Sequence, residues 1–335
     1  MNPCQNCDTP TDHPWEVCPK CFRDPDTNNC EKCGKHLSGI PYPYVCGTCL
    51  KKPKNVVWVV EREGVMESVN TERLRDALAM CKVPTVSVDP LYFTDDLPEV
   101  DGELPEGAVL VYYGSTTLRD KLVAAGRPGV FFDPVRFSFQ ALRDGYGEEL
   151  LNHGSVVVTV GEFLAATQDD PDELLFIRPT EDSKTLTGGV HTRREWVDAI
   201  QISMNNTHGP KFETPIQLGE PRNIEYEWRL FMVDGRVVAS SRYRAYGYPN
   251  RSEEVPDRVV QYAEDMATKY QPAKVFVMDV CELSVDGSLR VIETNCASCS
   301  GFYAADVREI VRGITQYVGR HPESLRGHLR GDMPR

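Results

Sequence analysis

The chain has 335 residues, of which 41% are hydrophobic and 26% charged, so it is long enough for two or three domains with a substantial buried core. No apolar run approaches the ~20 residues that a membrane-spanning helix needs, and the N-terminus lacks a secretion signal. A formal net charge of -13 argues against non-specific binding to a phosphate backbone. These features predict a cytoplasmic protein whose cysteines are metal ligands or thiols rather than disulfides.

The first fifty residues contain eight of the twelve cysteines, arranged as four Cys-x-x-Cys pairs. The pairs are Cys4 with Cys7, Cys18 with Cys21, Cys30 with Cys33, and Cys46 with Cys49. The two thiolates of a pair can reach one tetrahedral ion, and two pairs complete a structural zinc site. Sequential pairing predicts tandem zinc ribbons over residues 1–53 with two structural Zn²⁺ ions, although the spacing also permits cross-pairing. Because the segment is short and polar, metal binding would supply its folding free energy.

The partner of these ribbons is left open by their composition. Basic and aromatic side chains, among them Lys20, Arg23, Trp15 and Phe22, could contact RNA. The acidic and basic residues of the segment almost cancel, however, so docking of a protein is supported at least as well. We therefore expect the ribbons to dock a protein or RNA.

Strands and helices alternate after a basic linker at residues 51–54. Strands are expected over 56–60, 84–88, 108–113 and 129–132, and helices over 71–81 and 116–125. This alternation predicts a mostly parallel sheet in an α/β domain spanning residues 54–170. No Gly-x-Gly-x-x-Gly follows the first strand, so nothing indicates a dinucleotide site. Helices are expected over 137–152 and 162–167, and the acidic run 168–172 is either the domain boundary or a solvated loop.

The next segment has the features of a phosphate-binding loop. A buried strand over 174–179 ends at Arg178, and the loop that follows contains Lys184, Thr187 and the pair Gly188-Gly189. Cationic side chains neutralise phosphate charge, while backbone N–H groups of a polar, Gly-rich loop can contact phosphate oxygens. An ordinary exposed turn fits these residues equally well. A helix over 193–205 comes next.

Two further strands carry arginines among apolar residues. The strand 224–233 contains Arg229, and the strand 236–243, after the Asp234-Gly235 turn, contains Arg242. An unpaired cation is unfavourable in such surroundings, so each arginine needs a carboxylate or phosphate partner. Internal ion pairs with Glu225 or Glu227 are the alternative. A helix over 253–270 follows.

The segment 274–303 has the pattern of a β-hairpin, with an acidic residue in each of its two strands. Asp279 lies in the first apolar run, and Glu293 and Asn295 end the second. Buried carboxylates with a nearby amide suggest oxygen ligands for a hard metal ion. Asp279 faces Glu293 only if the turn has odd length, so we expect a three-residue loop at 285–287. An edge hairpin with solvated acids is the alternative.

The order of these motifs resembles the ATP-grasp superfamily, and more closely its R-to-K clade, in which arginine replaces the first nucleotide-binding lysine. The resemblance rests on Arg178-Pro179, Asp182-x-Lys184-x-x-Thr187-Gly188, Glu227-x-Arg229-Leu230-Phe231, Asp279, Glu293-x-Asn295 and Ser300-Gly301-Phe302-Tyr303. It covers residues 55–319 and implies an α+β fold: an α/β domain followed by a two-lobed ATP-binding domain over 171–319. The ribbons lie outside it, and we expect residues 320–335 to be a flexible basic tail rather than a nucleic-acid-binding arm.

The resemblance also implies roles for residues of this chain. ATP would be bound by Arg178, Lys184, Thr187, Gly188, Gln217 and Glu220. One or two Mg²⁺ ions would be held by Asp279, Glu293 and Asn295. Arg229 and Arg242 would stabilise charge on the transferring group as catalytic residues. The pair Cys296 and Cys299 departs from the more polar segment that the family pattern has here, and suggests inert buried thiols, with substrate-side or redox groups as the alternatives.

The implied activity is that of an ATP- and Mg²⁺-dependent carboxylate–amine ligase. Such an enzyme phosphorylates a carboxylate, here one on a peptide or protein, and an amine or similar nucleophile then displaces the phosphate. Two other functions fit the sequence: a non-catalytic ATP-binding assembly factor, and an RNA-binding or RNA-modifying protein that uses the ribbons as readers.

The ribbons can be tested by metal analysis. We expect the purified chain to contain two Zn²⁺ per molecule, and Cys18→Ser to release one of them, because one thiolate is lost from a four-ligand site. Zinc is measured by atomic emission after dialysis against a weak chelator, with Cys81→Ser as the control. A zinc-free protein, or full zinc in the Cys18 variant, would contradict the prediction.

Overall fold

The computed structural model describes residues 55–62, 69–90, 94, 96–166, 170–181, 186–207 and 209–322, together with the backbone of two short N-terminal strands. Those strands, β1 (Asn2–Pro3) and β2 (Pro10–Thr11), pair antiparallel. Within these ranges, none of the helices combines the length and apolarity needed to cross a bilayer.

Part of the sequence prediction falls on residues that the structure does not describe. Lys184 and the tail beyond residue 322 are among them. So are all eight expected zinc ligands: Cys4, Cys7, Cys18, Cys21, Cys30, Cys33, Cys46 and Cys49. The tandem zinc ribbons, their two Zn²⁺ ions and the pairing of the cysteines therefore stay predictions from sequence.

The first domain contains a four-stranded sheet of order β5-β4-β3-β6. Its elements are β3 (Val56–Glu61), α1 (Val69–Cys81), β4 (Thr85–Val88), β5 (Val100–Asp101), β6 (Val109–Tyr113), α2 (Thr116–Ala124) and α3 (Phe139–Tyr146). The central strand β3 is parallel to both β4 and β6, which confirms the expected parallel sheet. All six residues of β3 are buried, which is why this strand is an unbroken apolar run up to Glu61.

Residues 156–219 form a small antiparallel unit that we call the small lobe. It contains β7 (Val156–Thr159), α4 (Val160–Ala165), β8 (Leu174–Pro179), β9 (Gly189–Thr192), α5 (Arg193–Met204) and β10 (Pro215–Gly219), with sheet order β7-β10-β8-β9. Helix α5 begins with a capping box between Thr192 and Glu195. Alternation along β8 buries Ile177 in the lobe and places Arg178 on the opposite face.

A five-stranded antiparallel sheet, which we call the large sheet, follows in the chain. Its strands are β11 (Ile224–Val233), β12 (Arg236–Ala245), β13 (Tyr248–Ser252), β14 (Val275–Leu283) and β15 (Leu289–Asn295), in the order β13-β12-β11-β14-β15. Helices α6 (Asp257–Lys269) and α7 (Val307–Arg320) pack against it. The first seven residues of β14 are buried, so this strand lies at the centre of the molecule.

The first domain and the large sheet share one hydrophobic core, whereas the small lobe has its own. In the shared core, the indole N–H of Trp58 on β3 donates to Thr315 Oγ1 on α7 at 2.9 Å. The small-lobe core is built around Ile177, Trp196 and Ile200. The two cores leave a cleft between the small lobe and the large sheet.

Several expected elements differ from the structure. Residues 129–132 are not a strand, because Gly129 has a φ of +109° and follows a proline that lacks an N–H. The helix expected over 137–152 ends at Tyr146, since Gly147 has a φ of +57° and a 3₁₀ turn follows. Strand β7 pairs with β10, so the small lobe begins before the boundary expected at residue 170. Strands β7, β9, β10 and β13 and helix α7 were not expected.

Helix α5 contains one buried isoleucine, in the small-lobe core, and one exposed isoleucine that serves as its control. Ile200 of α5 is fully buried, whereas Ile202 is 69% exposed. We expect Ile200→Ala to lower the free energy of unfolding by about 2–4 kcal/mol, since it leaves a cavity. Ile202→Ala should change it by less than about 0.5 kcal/mol. Urea denaturation followed by fluorescence measures both, and equal losses would contradict this assignment of the core.

Candidate active site

The cleft between the small lobe and the large sheet has a volume of about 1090 Å³, enough for a ligand of nucleotide size. The small lobe contributes Arg178 and residues 186–190, and the large sheet contributes most of the opposite wall. That wall includes Glu227, Arg229, Tyr243, Arg244, Asp279, Glu293, Asn295 and Tyr303. Charged side chains from both lobes therefore meet in one cavity.

Strands β14 and β15 place two carboxylates opposite each other in this wall. Asp279 is the cross-strand partner of Glu293, which confirms the expected pairing. The expected three-residue loop is wrong, however. Leu283 and Ser288 are joined by a hydrogen bond of 2.9 Å, so the turn has four residues. The odd residue is Ile292, an unpaired bulge between the pairs Val280–Val291 and Asp279–Glu293.

Asp279 is neutralised by Arg229 of the neighbouring strand β11. Arg229 is its cross-strand partner and donates through Nε and Nη2 to the two carboxylate oxygens at 2.9 and 2.7 Å. Asp279 is only 1% exposed, so this bidentate pair lies in the protein interior. The third nitrogen, Nη1, donates to the carbonyl oxygen of Gly301 at 3.2 Å. Arg229 thus pairs with Asp279, and not with either glutamate considered from sequence.

Glu293 is paired with an arginine from the other side of the cleft. Arg178 of β8 forms an ion pair with Glu293 Oε2, so the contact joins the small lobe to the large sheet. Gly188 lies against Arg178, where an added Cβ would come within 2.9 Å of the arginine Cβ. Asn295 donates its amide to Asp279 Oδ2 at 3.4 Å. The four charges therefore form a row: Arg178, Glu293, Asp279 and Arg229.

The two carboxyl groups respond in opposite ways to this environment. Burial and the neighbouring Glu293 raise the pKa of Asp279 to about 6, in spite of Arg229. Burial alone would also raise the pKa of Glu293, but attraction to Arg178 and a hydrogen bond from Asn295 outweigh it and lower that pKa to about 2. Like charges that face each other in this way favour binding of a cation between them.

Two stacked tyrosines border the row beyond Arg229. The Tyr243 and Tyr303 rings are 4.8 Å apart, and the Arg229 guanidinium lies 4.9 Å from the Tyr303 centroid. Tyr243 donates its hydroxyl to Glu227 at 2.7 Å, and burial together with the carboxylates raises its pKa well above the usual value. The sequence predicts no role for Tyr243, which lies between Arg242 and Arg244 in β12.

The loop that carries Tyr303 is held by the first domain. Arg73 of α1 donates to the carbonyl oxygens of Tyr303 and Ala305, the latter at 2.7 Å. Asn70 accepts the backbone N–H of Phe302 at 3.1 Å. Tyr303 itself has a φ of +48°, a conformation that a residue with a side chain rarely adopts. The first domain therefore fixes one wall of the cleft.

Arg242, expected as a catalytic residue, lies outside the cleft. It donates to Asn250 Oδ1 at 3.0 Å, and its guanidinium lies over the Tyr226 ring. The reason is the pairing of β11 with β12, which contains one bulge between Phe231 and Met232 and another between Glu227 and Trp228. Each bulge shifts the register by one residue, so Arg242 lies opposite Trp228 and Arg244 lies opposite Glu227. Arg244 lines the cleft and forms an ion pair with Glu227 at 3.2 Å. The two bulges together place Arg244, instead of Arg242, beside Glu227.

The residues expected to bind a nucleotide are divided between the cleft and its margin. Thr187, Gly188 and Glu220 line the cleft beside Arg178. Gln217 is only 3% exposed; its amide donates to Ser155 Oγ at 3.1 Å, and the residue lines a narrow pocket next to Arg178. The position of Lys184 lies outside the described residues.

The expected magnesium set consists of oxygen donors on one surface. Asp279 and Glu293 face each other and Asn295 reaches Asp279, which is the donor chemistry that Mg²⁺ prefers. Among the described residues there is no group of three or more His, Cys, Asp or Glu side chains suited to a metal ion. A set of two carboxylates and an amide therefore fits an ion whose remaining ligands come from a bound phosphate or water.

The buried ion pair predicts a large difference between two arginines. Arg229→Gln should lower the free energy of unfolding by about 3–5 kcal/mol, because Asp279 is left buried without its counter-charge. Arg244→Gln should lower it by less than about 1 kcal/mol, since Arg244 is 47% exposed. Urea denaturation measures both variants. Equal values would show that the Asp279–Arg229 pair is not an interior interaction.

Comparison with protein families gives one match to this region. A model of ATP-grasp domains, R-to-K clade family 3, matches residues 144–314. The matched range begins in α3 and ends in α7, so it includes the small lobe, the large sheet and all four residues of the charged row. No sequence among the curated proteins matches the chain.

Solved structures are similar at low sequence identity. A Bacillus anthracis D-alanine–D-alanine ligase complexed with ATP has 13% identity and a TM-score of 0.49, covering 80% of this chain and 100% of that chain. The D-cycloserine synthetase DcsG has 14% identity and a TM-score of 0.48, covering 78% and 99%. The ATP-grasp ligase PsnB complexed with a minimal precursor has 15% identity and a TM-score of 0.41, covering 84% and 100%.

Proposed function

The chain belongs to family 3 of the R-to-K clade of ATP-grasp domains, and on this basis we propose that it is an ATP- and Mg²⁺-dependent ligase. It activates a carboxylate on a peptide or protein as an acyl phosphate, which an amine or similar nucleophile then attacks. The observation that carries this proposal is the pair Asp279 and Glu293, which face each other in the cleft with an arginine beside each.

The small lobe supplies the nucleotide side of the proposed site. Arg178 points from β8 into the cleft, and Thr187 and Gly188 line the same wall. A guanidinium next to backbone N–H groups of a Gly-containing segment is suited to phosphate oxygens. We assign Lys184 to the phosphates as well, and Gln217 and Glu220 to the base end of the nucleotide. Glu220 lies in the segment between β10 and β11, where the two lobes join.

The large sheet supplies the metal side. Asp279, Glu293 and Asn295 would hold one or two Mg²⁺ ions. When bound, such ions neutralise phosphate charge and orient the transferring group. Asn295 approaches Asp279 through its amide nitrogen, so its oxygen is the atom that would act as a ligand. Arg178 and Arg229, freed in part from the carboxylates, would then contact oxygens of the nucleotide.

The carboxylate substrate is assigned to the end of the cleft beyond Arg229. There Arg229 and Arg244 present cationic groups, and Tyr243 and Tyr303 provide an apolar surface. The cleft is open at the turn between β12 and β13, where Tyr246 is 61% exposed. A side chain or terminus of a peptide can enter from that direction. The zinc ribbons, with their two structural Zn²⁺ ions, would recruit the protein that carries the substrate.

The proposal is tested by turnover with the full chain. ADP release should require Mg²⁺, a peptide carboxylate and an amine together. We expect Asp279→Asn and Glu293→Gln to lower the turnover number about 10²- to 10³-fold, as loss of one preorganised charge does in other enzymes. Asp286→Asn, an exposed acid in the turn of the same hairpin, is the matched control and should leave turnover unchanged.

Two results would decide against a ligase. ATP binding without ADP release across a broad panel of carboxylates and amines would favour a non-catalytic ATP-binding assembly factor. RNA binding that is lost when Cys18 is replaced by Ser, with no ADP release, would favour the RNA-binding function of the ribbons. Circular dichroism of each variant separates loss of activity from loss of folding.

A further inference from the structure

A cysteine pair lies directly beside the proposed site. Strand β15 ends at Asn295, and a 3₁₀ turn over Ala297–Cys299 connects it to the loop that carries Tyr303. Cys296 precedes the turn and Cys299 ends it. Cys299 N–H and Ser300 Oγ both donate to the Cys296 carbonyl, at 3.4 and 2.7 Å. The turn therefore brings two thiols that are three residues apart to one side of the chain.

The two cysteines are joined by a hydrogen bond but differ in exposure. Cys296 is fully buried, whereas Cys299 is partly exposed, and both are free cysteines. The Cys299 thiol donates to the Cys296 carbonyl oxygen at 3.8 Å, so the two residues are joined across the turn. Cys299 is therefore the thiol that an external reagent reaches first.

A buried arginine approaches Cys299 from the first domain. Arg119 of α2 is only 4% exposed, and its Nη1 donates to Cys299 Sγ at 3.8 Å. The guanidinium is fixed by the Phe132 ring, 3.9 Å away, and by Asp120 at 2.8 Å. A guanidinium next to a thiol stabilises its thiolate, which is the nucleophile in thiol exchange. The pair thus has an attacking thiol, an activating cation and a second thiol on the same short turn.

We propose that Cys296 and Cys299 form a thiol–disulfide exchange site whose oxidation turns the neighbouring site off. The co-reactant is a low-molecular-weight disulfide such as oxidised glutathione. The Cys299 thiolate attacks one sulfur of that disulfide, which forms a mixed disulfide and releases one thiol. Cys296, as its thiolate, then attacks Cys299 Sγ and releases the second thiol. The two cysteines lose two protons and two electrons, and the co-reactant gains them as two thiols.

The turn transmits this change because residues of the site flank it on both sides. Asn295, which contacts Asp279, precedes Cys296 directly. Gly301, whose carbonyl accepts from Arg229, follows two residues after Cys299. A disulfide has a sulfur–sulfur distance of about 2.05 Å, much shorter than the separation of two sulfur atoms that are not bonded to each other. Closing that bond must therefore tighten the turn and displace one or both flanking contacts.

The chemical step can be measured without any assumption about activity. Trypsin releases the peptide Val291–Arg308, which contains Cys296 and Cys299 and no other cysteine. The folded full-length chain is treated with oxidised glutathione, alkylated and digested. We expect this peptide to lack two hydrogen atoms, to carry no alkyl group, and to recover both alkylation sites after dithiothreitol. A peptide that stays doubly alkylated, or that stops at a glutathione adduct on Cys299, would overturn the proposal.

The effect on the site rests on the proposed function and is measured separately. Oxidised protein should release ADP about tenfold to a hundredfold more slowly, the size of effect expected when a site is displaced by roughly 1 Å. Dithiothreitol should restore the rate. Cys299→Ser protein should be insensitive to glutathione disulfide, whereas Cys81→Ser, which alters a cysteine on α1, should remain sensitive.

The outcomes distinguish the two proposals. If the disulfide forms and ADP release is unchanged, the regulatory role of the pair is wrong. If the disulfide forms but reduced protein releases no ADP with any substrate, the proposed ligase function fails while the exchange site stands. Cys296→Ser is compared with Cys299→Ser for folding by circular dichroism, because only Cys296 is fully buried.

Discussion

Two carboxylates that face each other inside a protein are the constraint on which the rest of this site depends. Asp279 and Glu293 are paired across β14 and β15, and their charges are unfavourable there unless cations lie beside them. Arg229 comes from the adjacent strand of the same sheet, and Arg178 from the small lobe. Neutralising this acidic pair therefore requires β11 to lie next to β14 and β8 of the small lobe to lie close to β15.

The first domain contributes to the site although it lies outside the matched family region for most of its length. Its side chains Asn70, Arg73 and Arg119 all reach the segment 299–305, and Tyr113 donates to the Ser300 carbonyl at 3.1 Å. Because this domain shares a core with the large sheet, that wall of the cleft is fixed by extensive packing. The small lobe, with a separate core, is joined to the site mainly through its cleft face.

Much of this arrangement could be predicted from sequence, whereas β-bulges and very short strands could not. Strands β3, β8 and β11 contain strong apolar runs, and the position of Asp279 opposite Glu293 followed from the unfavourable burial of an isolated acid. The ion pair between Asp279 and Arg229 was not predicted. The bulge at Ile292 and the two bulges that place Arg244 opposite Glu227 could not be foreseen, since a bulge depends on packing and leaves no periodic signal. Strands β9 and β10 have four and five residues, too short for alternation to be recognised.

The ion pair between Arg178 and Glu293 spans two lobes that have separate cores, and this makes the two halves of the cleft thermodynamically dependent on each other. An anion that takes Arg178 leaves Glu293 without its counter-charge, and a cation that takes Glu293 leaves Arg178 free. Binding of the anion alone or of the cation alone leaves one buried charge unpaired, which is unfavourable. Binding of both leaves neither charge unpaired. Binding of anion and cation should therefore show positive heterotropic coupling, equal in size from either direction.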